Sequence, residues 1–424
     1  LMRVCIVSVQ FPPLIYGGGG VAVRNVAREI ARENEVTVYC FGLGDIPEYE
    51  RMNLDGSVVD VYRVFTEDSD IIESPFDGTK RQEIERLREF IGRVAERIIH
   101  EEFDVVHLHG HFAVPSMARI LKERGYSARI ITTIHAFESI IELEKGAYRS
   151  DRSCFEDILK MERDALEYSD IVTVASRSII EKIRSIHGDK YMEKIVIVPI
   201  GIEDRFFMHP ELARIRSVKS FFPEDATLIL NLNRIDPHKG IHYILLSLEQ
   251  LNLDKRLALI VAGKFEKKNR AYLDELLSLK RRIEDKYSNI LIYFMLNVDE
   301  ETKICLYDLA DVFVMASPTE PFGITILESL ARGTPVVVTD AEGPREIFGV
   351  GERLDKPFIE VKGGVMVSFS KEEDRPRNLA LGLRYVIDRL NKFSVEAMGM
   401  IEYVRMNYSW KRIAEIFMRY YSGH

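Results

Sequence analysis

Cysteine is scarce: only four residues in 424, at Cys5, Cys40, Cys154 and Cys305, and they form neither a CxxC pair nor a metal-ligand spacing. Reduced thiols in a cytoplasmic chain are therefore expected, with no disulfide framework and no bound metal. Positive charge is also in short supply. Lys and Arg total 58 against 67 Asp and Glu, a net charge of −9. That balance excludes a general nucleic-acid binder, whose domains present a basic surface, but it is compatible with a local basic cleft for a phosphate. Nowhere do about 20 apolar residues run together, so no membrane-spanning helix is expected, and attachment to a membrane surface is left open. The run Met2–Gln10 is too short for a secretory leader and reads as a strand entering a Gly-rich turn. Gly17–Gly20 lack the Gly-x-Gly-x-x-Gly spacing, and no ribose-binding acid follows about 20 residues later, which argues against a dehydrogenase.

Hydrophobic residues make up 46% of the chain and charged residues 29%, the balance of a folded protein. A length of 424 residues suits two domains better than one core. Short, near-continuous apolar runs recur at 4–9, 36–41, 58–64, 104–108, 130–134, 171–174 and 195–200. They continue at 227–232, 258–262, 290–294, 312–316, 335–339 and 365–369. Parallel strands buried on both faces look like this. Helical patterns lie between them, as where Val23, Val26, Ala27, Ile30 and Ala31 follow the 3.6-residue period. Some thirteen strands are too many for one open sheet. The expected class is therefore α/β, with two Rossmann-like doubly wound domains facing a cleft. The boundary falls just after Ile200-Gly201-Ile202, giving domains over 1–203 and 204–405. A last helix, within 406–424, carries the stripe Trp410, Ile413, Ile416, Phe417 and Tyr420 and is free to pack back on the first domain.

In such folds the loops after strands carry the chemistry. The segment Ser317–Thr334 follows a strand and opens a helix near Gly323 that ends at Gly333. Backbone N–H groups around Pro321, Phe322 and Gly323 form a helix N-terminus suited to an anion. Glu320 precedes the helix and Glu328 lies within it; a carboxylate accepts two hydroxyl hydrogen bonds and suits a vicinal diol. The same features fit an ordinary capped helix with a surface Glu. Arg234 and Lys239 follow the second domain's first strand, where they can neutralise a diphosphate or stand as two surface cations. His135 ends a strand. His107, His109 and His111 alternate along another and share a face, a spacing that in principle permits metal binding, though no metal is expected. The basic residues of 80–97 are interleaved with Glu83, Glu85, Glu89 and Glu96, which suits a solvated helix with internal ion pairs better than a lipid-binding face.

The pattern Glu320-Pro-Phe-Gly323, Glu328, Gly333-x-Pro-Val-Val337 resembles the donor-site signature of family 4 retaining glycosyltransferases, which have the GT-B fold. Further matches fall in order along nearly the whole chain. The resemblance implies a metal-independent hexosyltransferase with no cofactor beyond its donor, a UDP-, GDP- or ADP-sugar, and a sugar, polysaccharide or lipid-linked acceptor. It implies a first domain on the acceptor side and a second that binds donor. Glu320 would meet the donor sugar, Glu328 the ribose, and the N–H groups near Phe322, Gly323, Ile324 and Thr325 the sugar and diphosphate. Arg234 and Lys239 match the family's phosphate-binding pair, with Asn233 standing where Gly is usual. Gly19 and Gly20 match its Gly pair and His135 its sugar-side histidine. Base contacts are expected around Leu296, and His109 on the acceptor side. Bacterial-type glycogen synthases carry a Lys two residues before the Gly pair; Gly17 there counts against that assignment. In the loop 341–346, Glu342 replaces the first of two family glycines and sets a carboxylate near the phosphate site. A disaccharide phosphorylase, a sugar-nucleotide epimerase and a non-catalytic nucleotide-sugar binder are the alternatives.

Overall fold

The apolar runs become two sheets in the computed structural model, which describes residues 1–110, 112–135, 137–144, 152–251 and 253–423. The first sheet comprises β1 (Arg3–Ser8), β2 (Glu35–Phe41), β3 (Tyr49–Leu54), β4 (Ser57–Val64), β5 (Val105–Gly110), β6 (Arg129–Ile134), β7 (Ile171–Val174) and β8 (Ile195–Ile197). Its order is β3-β4-β2-β1-β5-β6-β7-β8. The second comprises β9 (Thr227–Leu232), β10 (Leu257–Gly263), β11 (Ile290–Leu296), β12 (Val312–Val314), β13 (Val336–Thr339), β14 (Phe358–Val361) and β15 (Gly364–Val367). Its order is β11-β10-β9-β12-β13-β15-β14.

All pairings are parallel except β3 with β4 and β14 with β15. Both antiparallel strands are edge strands that the apolar runs do not reveal. Their sequences, YERMNL and FIEV, are largely polar or half-exposed because one edge faces no neighbour. The central strands are buried on both faces; every residue of β10 is buried. Helices cover the two faces of each sheet, so the fold is doubly wound α/β, in two Rossmann-like units.

The units are Leu1–Gly201 with Trp410–His424, and Ile202–Ser409. In the first, Trp410, Ile413, Phe417 and Tyr421 of the last helix (Trp410–Tyr421) join Val23, Val26, Ala27 and Ile30 in one core cluster. Gly201 is constrained by this docking: a Cβ there would lie 2.5 Å from the Trp410 indole.

In each sheet the first strand is central and the chain then runs outward on both sides. β1 lies between β2 and β5, and β9 between β10 and β12. Strand order reverses there, leaving a crevice at the carboxyl ends. Gly19 and Gly20 follow β1, and Arg234 and Lys239 follow β9.

Candidate active site

In the second unit, three loops at the carboxyl ends of β9, β12 and β13 are bonded to one another. After β9 comes a short 3-10 turn, Pro237–Lys239, whose first N–H groups are served by Asp236: its carboxylate accepts from the His238 N–H at 3.0 Å. Gly240 then turns left-handed at φ +64°, and a Cβ would sit 2.0 Å from the Ala316 carbonyl oxygen. Only glycine lets this loop lie so close to the end of β12. The approach puts Lys239 Nζ 2.7 Å from Glu320 Oε2, both side chains mostly buried.

Glu320 leads into the helix Ile324–Ala331, whose N-cap is Gly323 at φ +93° with no side chain capping it. A helix leaves its first backbone N–H groups without the usual intrahelical partners; here Ile326 N–H turns back to the Gly323 carbonyl at 3.0 Å, and no side chain caps the N–H groups before it. Phe322 is buried and packs edge-on to Tyr408, while Ile324 is partly exposed. Gly333, at φ +73°, closes the helix.

The loop after β13 completes the set. Gly343 N–H donates to the Glu320 carbonyl at 2.7 Å, and the Glu320 N–H donates to Glu342 Oε2 at 3.4 Å. Arg353 lies 3.8 Å from the other Glu342 oxygen. The carboxylate that looked misplaced in the sequence thus holds the backbone of the Glu320 loop and shares Arg353 with Asp340, which lies 3.5 Å from that guanidinium. Gly343 would carry a Cβ 2.2 Å from the Phe322 carbonyl oxygen, against backbone rather than a flexible side chain. Gly343→Ala is expected to destabilise the protein by about 1–3 kcal/mol in chemical denaturation. Gly351→Ala, with open space around its Cβ, is the control expected to stay near the parent value.

Glu328 is held from a direction the sequence did not suggest. Lys303 and Tyr307, on the helix Glu300–Leu309, bond its two oxygens at 2.8 and 2.9 Å. Burial pushes the Glu328 carboxyl up from its ordinary value, against the opposing pull of Lys303 and Tyr307. Burial works against the charge on Lys303 too, but Glu328 and Glu300 outweigh it and the net shift is upward. Each Glu328 oxygen keeps acceptor capacity for one further donor. Lys303 and Tyr307 lie four apart on one helix face, a spacing that signals a shared face and no more.

Arg234 is exposed beyond β9, beside the buried Asn233, whose side-chain nitrogen has no partner. Leu296 ends β11 and is 36% exposed. The next residue, Asn297, is left-handed at φ +55° and bonds across to Gly263 and Phe265.

In the first unit, Gly19 and Gly20 differ from the sequence expectation. They do not form a loop; the helix Gly18–Ile30 has already begun, with Gly17 as N-cap at φ −174°. None of Gly17–Gly20 adopts positive φ. The requirement is space: a Cβ on Gly20 would meet Gln10 at 3.0 Å, and one on Gly19 would touch the His135 ring at 3.5 Å. His135 follows β6, and its Nε2 lies 3.4 Å from His109 Nδ1 on β5. His107 is bonded on both nitrogens, to Tyr421 at 2.6 Å and Thr133 at 2.7 Å. Burial pushes His107 down to about 3, helped by His135, and burial also drives His109 well below its ordinary value. Both are neutral at physiological pH, and they tie β5 to β6 through Thr133 and His135. His111 lies outside the described residues. Among the described residues no group of three or more His, Cys, Asp or Glu is placed to hold a metal ion.

Two family models match the chain in order: Glycosyltransferase Family 4 over residues 16–206 and Glycosyl transferases group 1 over residues 214–362. The chain is a group 1, family 4 glycosyltransferase with the GT-B fold. An uncharacterized glycosyltransferase of Methanocaldococcus jannaschii is 28% identical over 363 residues, covering 82% of this chain and 83% of that one. Among solved structures, the sucrose-phosphate synthase of Thermosynechococcus elongatus superimposes with a TM-score of 0.76 at 18% identity, covering 100% and 98% of the two chains. Anabaena HepE, in complex with UDP and glucose, does so with a TM-score of 0.70 at 14% identity and full coverage of both. The segment 317–334 of this glycosyltransferase falls wholly within the group 1 match, and Gly19, Gly20 and His135 within the family 4 match. No helix among the described residues is long and apolar enough to cross a membrane.

Proposed function

We propose that this glycosyltransferase is a retaining hexosyltransferase using a nucleotide-diphosphate sugar, with the donor held on the second unit. The observation that carries the reading is the Lys239–Glu320 contact at 2.7 Å beside the uncapped N-terminus of the Ile324–Ala331 helix. A cation, a diol acceptor and free backbone donors converge at one strand-order reversal. That is the set a sugar diphosphate requires.

In this reading Arg234, Lys239 and the N–H groups of Gly323, Ile324 and Thr325 take up the charge of the departing diphosphate, without needing a metal ion. Glu320 and Phe322 border the sugar, Glu328 meets the ribose, and Leu296 lies near the base. The sugar C1–O bond to the diphosphate breaks, and a bond to the acceptor hydroxyl forms on the same face. The proton lost by that hydroxyl passes to the leaving phosphate. On the first unit, the family resemblance gives Gly19 and Gly20 the role of its Gly pair and His135 that of its sugar-side histidine; an imidazole can donate to a sugar hydroxyl. HepE supports a nucleotide-sugar donor by analogy of fold, and the acceptor is a carbohydrate or a lipid-linked hydroxyl.

The test is a thermal-shift screen of UDP-, GDP- and ADP-sugars. A donor at 100 times its Kd stabilises by about 2.7 kcal/mol. One nucleotide sugar is expected to raise Tm and to release its diphosphate on adding acceptor, with the anomeric configuration kept in the NMR spectrum of the product. If no nucleotide sugar shifts Tm, the donor assignment fails. Phosphate-dependent cleavage of a disaccharide would replace it with a phosphorylase.

A further inference from the structure

The chain that leaves β6 at His135 is tied down over its next few residues. Phe137, Glu138 and Ser139, the next described residues, are each met by a different helix of the first unit. Glu138 Oε1 accepts from Lys80 Nζ at 2.9 Å, at the start of the helix Lys80–Ile98. Glu162, on the helix Arg152–Tyr168, takes Ser139 with both oxygens. Its Oε1 accepts from the Ser139 N–H at 2.9 Å and its Oε2 from the Ser139 hydroxyl at 2.6 Å. His187 ends the helix Arg177–His187 and sets its ring edge-on to Phe137 at 5.4 Å. Its Nε2 lies 2.9 Å from Glu162 Oε2.

The Glu162 and His187 side chains are only 0% and 1% exposed. Taking a carboxyl group out of water is unfavourable, and apolar residues in the same space commonly give equal or greater stability. His187 adds to the cost, because its Nδ1 is buried with no partner. A leucine or phenylalanine could pack on Phe137 without either penalty. What the polar set supplies, and apolar packing does not, is direction. Three donors on one carboxyl group fix where the Ser139 backbone lies and how it turns. On its other side, the His135 N–H donates to the Gly110 carbonyl at 3.3 Å, and its Nε2 contact with His109 is 3.4 Å, both long. The backbone after His135 therefore helps to set where the imidazole points.

We infer that Glu162 and His187 are positioning residues for sugar transfer, which hold residues 137–139 so that the His135 ring keeps its alignment with a sugar hydroxyl. The inference rests on the reading of His135 as the sugar-side histidine and deepens it. Both residues are buried and act through the backbone. A displacement of about 1 Å in such a group can lower a rate about a hundredfold, so a small slackening of the segment is enough.

The test compares His187→Leu, which keeps bulk and loses the bond to Glu162, with His187→Gln, whose side-chain amide can still donate to it. Turnover is measured well below each variant's Tm, together with hydrogen exchange of the Ser139 amide. His187→Leu is expected to lower kcat about tenfold or more and to speed that exchange. Its KM for donor and its nucleotide-sugar thermal shift are expected to match the parent. His187→Gln is expected to recover most of both losses. Ser139→Ala removes one donor and little bulk, and is expected to lower kcat about threefold or more even if His187→Leu fails to fold. A purely structural role would lower Tm and leave kcat at the parental value, which overturns the proposal. So does a His187→Gln variant no better than His187→Leu. If no nucleotide sugar shifts the Tm of the unmodified protein, it is the donor reading that fails. Exchange at Ser139 then decides: parental rates in His187→Leu overturn the anchoring, and faster rates that His187→Gln restores uphold it.

Discussion

Replacing Lys239 with alanine is expected to lower the rate of sugar transfer about a hundredfold or more while the protein stays folded. Removing one preorganised donor to developing charge costs ~3 kcal/mol in the barrier, and Lys239 is mostly buried where water screens little. Glu320→Ala is expected to have a similar effect for a different reason, the loss of a sugar-hydroxyl acceptor. Because the two side chains bond each other at 2.7 Å, a double-mutant cycle separates direct from indirect roles. If Lys239 serves only to place Glu320, the double variant is no slower than Glu320→Ala. If Lys239 acts on the diphosphate, the double variant is slower than either single one. Normal turnover in both single variants would sink the donor-site assignment.

The parallel strands and their order of appearance were legible because burial on both faces writes a continuous apolar run. β3 and β14 were not, since an edge strand with a solvated side has no such signature. The residues proposed for the donor side were legible as types at spacings, Glu320 and Glu328 around Gly323, and Arg234 and Lys239 after β9. What joins them was not. The Glu342 carboxylate reads in sequence as a charge in the wrong place, and only the fold shows it accepting the Glu320 N–H with Arg353 nearby. Gly19 and Gly20 read in sequence as a turn needing left-handed backbone, whereas close packing on Gln10 and His135 is what demands small residues there. Such contacts span many residues and leave no local pattern.

Lys303→Met is expected to destabilise the protein by ~3–5 kcal/mol, the cost of breaking a buried ion pair from one side. Lys303 also lies 5.0 Å over the Phe206 ring, so the change removes a cation–π contact as well. The larger loss falls on Glu328. Without Lys303 its buried carboxylate keeps Tyr307 as hydrogen-bond donor, and Glu300 opposes its charge. Its folded pKa, already raised by burial, must rise further. An unfolded Glu titrates near ~4.3. Between that value and the raised folded one, the native state binds more protons than the unfolded state, so stability falls as pH rises through that window. The Tm gap between the parent and Lys303→Met is therefore expected to be smaller at pH 5 than at pH 8. The Lys303 contribution has the other timing: its raised pKa means stability present at neutral pH and lost only as alkaline pH deprotonates it, outside this window. Adding Glu328→Gln to Lys303→Met is expected to recover part of the loss, because no uncompensated charge is then buried. A Tm gap that stays constant or widens toward pH 5 would show that Glu328 is not the group left unpaired. The donor side would then have to be rebuilt without it as a fixed, charged acceptor.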